Sequence, residues 1–242
     1  MNTISLVVFD LSRTTVEDGT AVQDCLYEAA RSFELPVTRA EVTAHLGMNK
    51  IHLFQYFLER SRGRDVSIED MEKFHQKETQ EQARQIFDHY ETLMFKYYAR
   101  EVKPIPGAEE TFHWLHEQGI KIATDTGFHE NITQAIMNSL GWLDSGLIDA
   151  CVHVESIPGQ RGRPAPFMIF RAMEELNIQS VHEVIKVGDT SADMLAGFNA
   201  GCRGFVGVLT GHQPIAEWGR YRHTHIIPSV MELPDLMETN FL

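Results

Sequence analysis

Cysteine is scarce in this 242-residue chain: Cys25, Cys151 and Cys202 are odd in number and far apart. That excludes both a disulfide framework and a CxxC metal site, and a reducing cytoplasm fits such a chain best. Long apolar runs are missing too. The opening run, Ile4 to Phe9, is too short for a signal segment or a membrane span and has no basic lead, so neither export nor a membrane partner is expected. Basic charge is in short supply, with 21 Lys and Arg against 34 Asp and Glu for a formal charge of -13. Nucleic acid is therefore not an expected partner, because phosphate backbones are held by clustered Lys and Arg. An anionic substrate would need a local positive site instead. No Walker A segment, GxGxxG, Ser-His-Asp order, internal repeat or low-complexity tract is present.

What is there reads as an ordinary globular mixture, 43% hydrophobic and 23% charged. Ile4, Leu6, Val7, Val8 and Phe9 form a nearly continuous apolar run closed by Asp10, the pattern of a strand buried on both faces. Ile120 to Asp125, Ala150 to Val154, Val184 to Val187 and Arg203 to Val208 read the same way, separated by amphipathic stretches of helix length. This alternation predicts an α/β fold with a Rossmann-like, doubly wound parallel sheet, which binds ligands at the carboxyl ends of its strands. About a hundred residues between the first two strands show only helical periodicity, from roughly Ala21 to Arg100. An inserted α-helical cap domain over residues 18–103 is the expectation, with a core of 1–17 and 104–242. The outgoing hinge would lie near Glu17 to Gly19 and the return at Pro104-Ile105-Pro106-Gly107.

The segment Val187-Gly188-Asp189-Thr190-Ser191-Ala192-Asp193 follows a strand and opens a helix, so two carboxylates four residues apart sit near one strand end. Two such acids can hold a divalent cation. Asp189 as a plain helix cap is the competing reading. Asp10, Thr126-Gly127 and Arg163-Pro164 supply three further polar sites at strand ends or ahead of a helix. Singly these are weak, since an Arg before Pro is usually solvated and a strand-end Thr usually belongs to a turn. Their joint order resembles the four motifs of the haloacid dehalogenase superfamily. Asp10 to Thr15, Ile120 to Phe128, Gly162 to Pro166 and Ile185 to Gly201 look closest to its phosphonatase branch. The resemblance covers the core well and the insertion weakly.

Carried over position by position, the resemblance implies that Asp10 attacks phosphorus and forms an aspartyl-phosphate. Mg2+ would be held by Asp10, the Ser12 carbonyl and Asp189, with Asp193 binding through water or positioning the loop. A cation is physically required, because nucleophile and target are both anionic. Thr126 and the amides near Gly127 would hold phosphoryl oxygens, and Arg163 would supply a compensating cation. Gly47-Met48-Asn49-Lys50 resembles the cap segment whose lysine forms a Schiff base with an aldehyde substrate, so Lys50 is the candidate amine and Gly47 a candidate contact. The alternative for Lys50 is the first turn of a solvated helix.

Two positions depart from the family pattern. Ser12 stands where most phosphatases of the superfamily carry an acid that protonates the leaving oxygen, help that contributes roughly 10^2 to 10^4 in rate. The phosphonatase branch has a small residue there. Arg13 stands where the pattern has glycine, which is a strained choice if φ is positive; alternatively it contacts the substrate, or activity is lost. Glu17 matches an acid often found near the hinge.

His113 with His116, and His223 with His225, lack a third ligand at metal spacing and read as structural or solvated. Phe87, Tyr90, Phe95, Tyr97 and Tyr98 read as packing within the inserted domain. The resemblance thus implies a hydrolase of a small phosphonate or phosphorylated metabolite, phosphonoacetaldehyde cleavage being its most specific form. A phosphatase acting on an ester or anhydride, and a catalytically weak phosphate-binding regulatory protein, are the rivals. A homodimer stays open.

Overall fold

The computed structural model describes residues 4–45, 49–74, 76–100 and 102–242. Eight strands occur among these residues: β1 Leu6–Asp10, β2 Val16–Glu17, β3 Lys103–Pro104, β4 Lys121–Thr126, β5 Ala150–His153, β6 Val184–Gly188, β7 Gly204–Val208 and β8 His225–Ile227. The helices are α1 Ala21–Ser32, α2 Arg39–Ala44, α3 Lys50–Ser61, α4 Lys77–Tyr98, α5 Ala108–Glu117, α6 Glu130–Leu140, α7 Phe167–Glu175, α8 Ser191–Ala200, α9 Ile215–Trp218 and α10 Leu233–Asn240. The chain forms two compact units, Met1–Asp18 with Glu101–Leu242, and Gly19–Arg100.

In the first unit six strands run parallel in the order β5-β4-β1-β6-β7-β8. All five residues of β1 are buried, as the unbroken apolar run requires of a strand covered on both faces. Side chains alternate between the faces. Leu6 and Val8 join the cluster formed with Met168, Ile169 and Ala172 of α7 and Ala196 and Ala200 of α8. Phe9 points the other way, edge-on to Phe112 of α5 at 5.2 Å, and Phe112 in turn meets Trp142 at 5.1 Å. This is the doubly wound α/β architecture that the alternation predicts. From β1 the chain moves outward one way through β4 and β5, then crosses back to β6, β7 and β8. The carboxyl end of β1 is therefore the switch point, where no crossover covers the strand ends.

Two strands too short for any sequence pattern close a second sheet. Val16 and Glu17 pair antiparallel with Pro104 and Lys103, at the two places read as hinges.

The second unit is helical. Buried positions recur along α4 at Thr79, Ala83, Ile86, Phe87, Tyr90, Met94 and Tyr98, a helical stripe against which α1 and α3 pack. The α2 helix is started by a capping box in which Thr38 and Glu41 satisfy each other's amides, and Asn49 accepts the His52 amide at 3.1 Å to start α3.

Candidate active site

Register builds the site. Asp10 pairs with Asp125 across β1 and β4, and Phe9 pairs with Val187 across β1 and β6, which sets Asp189 just past the strand end beside Asp10. Asp10, Asp189 and Asp193 each offer a carboxylate oxygen within 4.8 Å of the others, and all three are buried. Two glycines permit this crowding. A Cβ at Gly188 would collide with the Asp193 carboxyl, and one at Gly211 with that of Asp189.

Asp189 does not cap the helix it precedes. Thr190 is the cap of α8, and Asp193 completes a capping box by accepting the Thr190 amide at 3.2 Å. That fixes Asp193 at the positive end of the helix, with Oδ2 held by Thr190 and Oδ1 turned toward two cations. Arg163 Nη1 meets Asp193 Oδ1 and lies 2.7 Å from Asp10 Oδ1. The Arg163 segment is anchored by Asn199, whose amide donates to the Pro164 carbonyl at 2.9 Å. Gly127 faces the same guanidinium, since a Cβ built there would lie 3.8 Å from Arg163 Nη2. Thr126 is buried, and its hydroxyl accepts the Phe128 amide at 3.1 Å, tightening the turn after β4.

Three participants escape the motif reading. Lys186, fully buried within β6, donates to Asp125 Oδ1 at 2.6 Å and lies 3.1 Å from Asp193 Oδ1. A lysine inside a strand buried on both faces was the available signal, because such a charge requires partners. Asp125 read only as the end of its strand. Asp18 read as hinge, yet its carboxylate is fully buried, 2.9 Å from Arg13 Nε and accepting the Ser12 hydroxyl. Arg13 does take a positive φ, 61°.

The electrostatics are unbalanced. Burial, with Asp193 and Asp125 adding repulsion that Arg163 and Lys186 only partly offset, pushes Asp10 up from 3.8 to about 7. Burial and the charges of Asp10 and Asp193 likewise drive Asp189 well above the usual carboxylate range. Burial acts against ionised Asp193 too, but Arg163, Lys186 and Thr190 outweigh it and hold the carboxyl at about 2. Crowded, buried, hard oxygen donors that resist ionisation together are suited to a divalent cation, whose charge would offset their repulsion.

Lys50 is the first residue of α3 in the helical unit and is half-buried. Gly47 lies outside the described residues. In each histidine pair one ring donates to a neighbouring oxygen, His116 to Asp149 at 3.2 Å and His223 to the Tyr221 carbonyl at 2.9 Å. Phe87, Tyr90 and Tyr98 pack in the helical unit, with Phe87 and Tyr90 6.0 Å apart, whereas Phe95 and Tyr97, expected to pack as well, lie on the outer side of α4 and are exposed. Among the described residues no helix is long and apolar enough to cross a membrane.

Residues 4–201 match the family model of haloacid dehalogenase-like hydrolases. A phosphonoacetaldehyde hydrolase of Bacillus cereus is 30% identical over 209 residues, 86% of this chain and 76% of the relative. Among solved structures, a phosphonoacetaldehyde hydrolase-like protein from Oleispira antarctica superposes with a TM-score of 0.73 at 21% identity, covering 99% of this chain and 92% of that one. A hydrolase from Pseudomonas syringae gives 0.74 at 20% identity, covering 98% and 100%. Those two likenesses speak for the fold alone.

Proposed function

The chain belongs to the haloacid dehalogenase-like hydrolases, on their phosphonatase branch, and from that premise we propose that it cleaves a small phosphonate, phosphonoacetaldehyde first among candidates. The observation that carries the reading is the cluster of Asp10, Asp189 and Asp193 at the switch point, with Arg163 against the nucleophile. Asp10 and Asp189, with the Ser12 carbonyl, would hold Mg2+, and Asp193 would position them. When bound, that ion draws charge from the phosphoryl group and offsets the carboxylates.

Ser12 supports a carbon leaving group over an oxygen one. An alkoxide leaving from phosphorus needs a proton, and a serine hydroxyl is too weak an acid to give it. In the proposed reaction the Lys50 amine condenses with the substrate aldehyde, releasing water and leaving an iminium. Asp10 attacks phosphorus, the carbon–phosphorus bond breaks, and its electron pair passes into the iminium to give an enamine. Water then hydrolyses the aspartyl-phosphate to phosphate. Protonation and hydrolysis of the enamine release acetaldehyde and restore Lys50. Thr126, the amides near Gly127 and Arg163 would hold the phosphoryl oxygens.

Borohydride added with phosphonoacetaldehyde should inactivate the enzyme and leave a reduced adduct on Lys50, located by peptide mass spectrometry. Full turnover by Lys50→Ala would end the Schiff-base step. Turnover of p-nitrophenyl phosphate, acetyl phosphate or pyrophosphate exceeding that of the phosphonate, and lost in Asp10→Asn, would establish the phosphatase reading instead.

A further inference from the structure

The nine residues that begin with Asp10 contain both departures from the family pattern, and the structure brings both to one side chain. Past Asp10 the loop winds around the Leu11 carbonyl, which accepts the amides of Thr14, Thr15 and Val16 at 3.2, 2.9 and 2.8 Å. The Arg13 amide donates to the Val16 carbonyl at 2.8 Å, and the Thr15 hydroxyl donates to the Asp10 carbonyl at 2.9 Å. To make this turn residue 13 enters the left-handed region, at φ 61°. Glycine does so without steric cost, whereas arginine must be held there. Thr210 donates to the Arg13 carbonyl from outside the loop. From within it, Asp18 meets Arg13 Nε with Oδ1 and accepts the Ser12 hydroxyl with Oδ2, its side chain wholly shielded from solvent. A buried carboxylate demands such partners, and here they are the two residues that stand where the family pattern has an acid and a glycine.

We propose that Asp18 is a positioning residue for the nucleophile loop: by bridging Ser12 and Arg13 it enforces the left-handed turn that glycine would adopt unaided, and so aims the Ser12 carbonyl. The consequence for metal binding rests on the proposed function, where that carbonyl is a ligand. The consequence for the loop does not.

The test is a double-mutant cycle of Asp18→Ala and Arg13→Gly in the whole protein. It is read by amide hydrogen exchange of Thr14 to Val16 without metal, by Mg2+ calorimetry, and by kcat and KM on phosphonoacetaldehyde. With Arg13 present, Asp18→Ala should speed loop exchange and weaken Mg2+ each by about tenfold, and lower kcat about tenfold with KM changed less than about threefold. With glycine at 13 the same substitution should change each quantity less than about twofold. A merely structural Asp18 would lower the melting temperature equally in both backgrounds and leave the kcat-to-KM split unmoved. Equal effects in both backgrounds, or unchanged loop exchange in Asp18→Ala, would overturn the proposal. Should Asp18→Ala fail to fold, Asp18→Asn keeps an acceptor for Ser12 and loses the charge opposite Arg13. It should speed loop exchange about threefold, and wild-type exchange would sink the idea. Wild-type protein that binds no Mg2+ would count against the proposed function, while the metal-free exchange arm still decides the role of Asp18.

Discussion

Each unit builds a charged network on buried carboxylate, and the two are built to opposite specifications. In the helical unit Glu59 is fully buried and both its oxygens are occupied. Oε1 takes Arg62 at 2.8 Å and Thr79 at 2.6 Å, while Oε2 takes Arg64. Burial acts against its charge, yet Thr79, Arg64 and Arg62 together hold the carboxyl below its ordinary range. Among the described residues at the strand ends of the other unit, the cations that offset Asp10, Asp125, Asp189 and Asp193 are Arg163 and Lys186, and both Asp10 and Asp189 are pushed up. A network that serves folding closes on itself. The network at the candidate active site is left short of positive charge, as the cation of the proposed function would require.

The largest test removes the charge that chemistry uses. On the proposed mechanism Asp10→Asn should lower turnover at least ~10^3-fold, because the amide that replaces the proposed nucleophile cannot attack phosphorus. The same variant should melt no lower than wild type in metal-free buffer at pH 8, since it deletes a carboxylate that the fold keeps protonated up to about pH 7. Lower stability there would mean that the cluster is self-sufficient after all. Lys186→Met comes next. It leaves Asp125 and Asp193 with Arg163 as their remaining shared cation, the former at 3.9 Å, at a cost of about 3–5 kcal/mol in denaturant unfolding. Adding Asp125→Asn should recover part of that loss, and no recovery would break the pairing argument.

A third test uses pH and metal. Asp10 titrates near 3.8 in the unfolded chain and near 7 in the fold, so between about pH 4 and 7 the folded protein retains protons that the unfolded chain has released. Metal-free stability should therefore fall as pH rises through this window, with raised Asp189 adding to the slope. Asp193, held at about 2, contributes stability that is present above its unfolded 3.8 and lost only in stronger acid. In the proposed function Mg2+ would bind the ionised carboxylates, so its stabilisation should grow with pH and reach about 2.7 kcal/mol at a hundredfold excess over Kd. Melting curves at pH 5, 6, 7 and 8 with and without Mg2+ decide it. A metal-free curve that rises with pH would refute the assignment of an unfinished charge cluster.

The same contrast explains what the sequence disclosed. Strands buried on both faces announce themselves as unbroken apolar runs, which is why β1 and β4 to β7 were legible. Two-residue β2 and β3 and three-residue β8 are defined by pairing rather than by pattern, so no periodicity could locate them. Asp10, Thr126, Asp189 and Asp193 were visible as polar breaks near strand ends and Arg163 as a polar residue ahead of a helix, but each was weak alone, and it was their joint order, resembling the superfamily's four motifs, that singled them out. Lys186 and Asp125 were hidden inside strands whose apolar neighbours dominated the reading. Asp18 was hidden among residues that look like a polar hinge, because its burial and its pairing with Arg13 leave no mark on hydrophobic pattern.

The smallest test is the control that gives the comparison its meaning. Glu59→Gln keeps the volume and an acceptor for Thr79 but removes the charge that Arg62 and Arg64 share. Both arginines reach solvent, with side chains 26% and 46% exposed, so they can rehydrate, and the loss should be about 1–2 kcal/mol rather than the larger cost of stranding a buried ion. Because Glu59 in the fold titrates below its ordinary 4.5, its contribution is present above that value and disappears only as pH falls through the lowered one. Between pH 5 and 8 the stability gap between Glu59→Gln and wild type should stay constant, and Mg2+ should shift both proteins equally. A gap that widened with Mg2+ or changed slope near pH 7 would show that this network also feels the cation, and the distinction between the two clusters would fail.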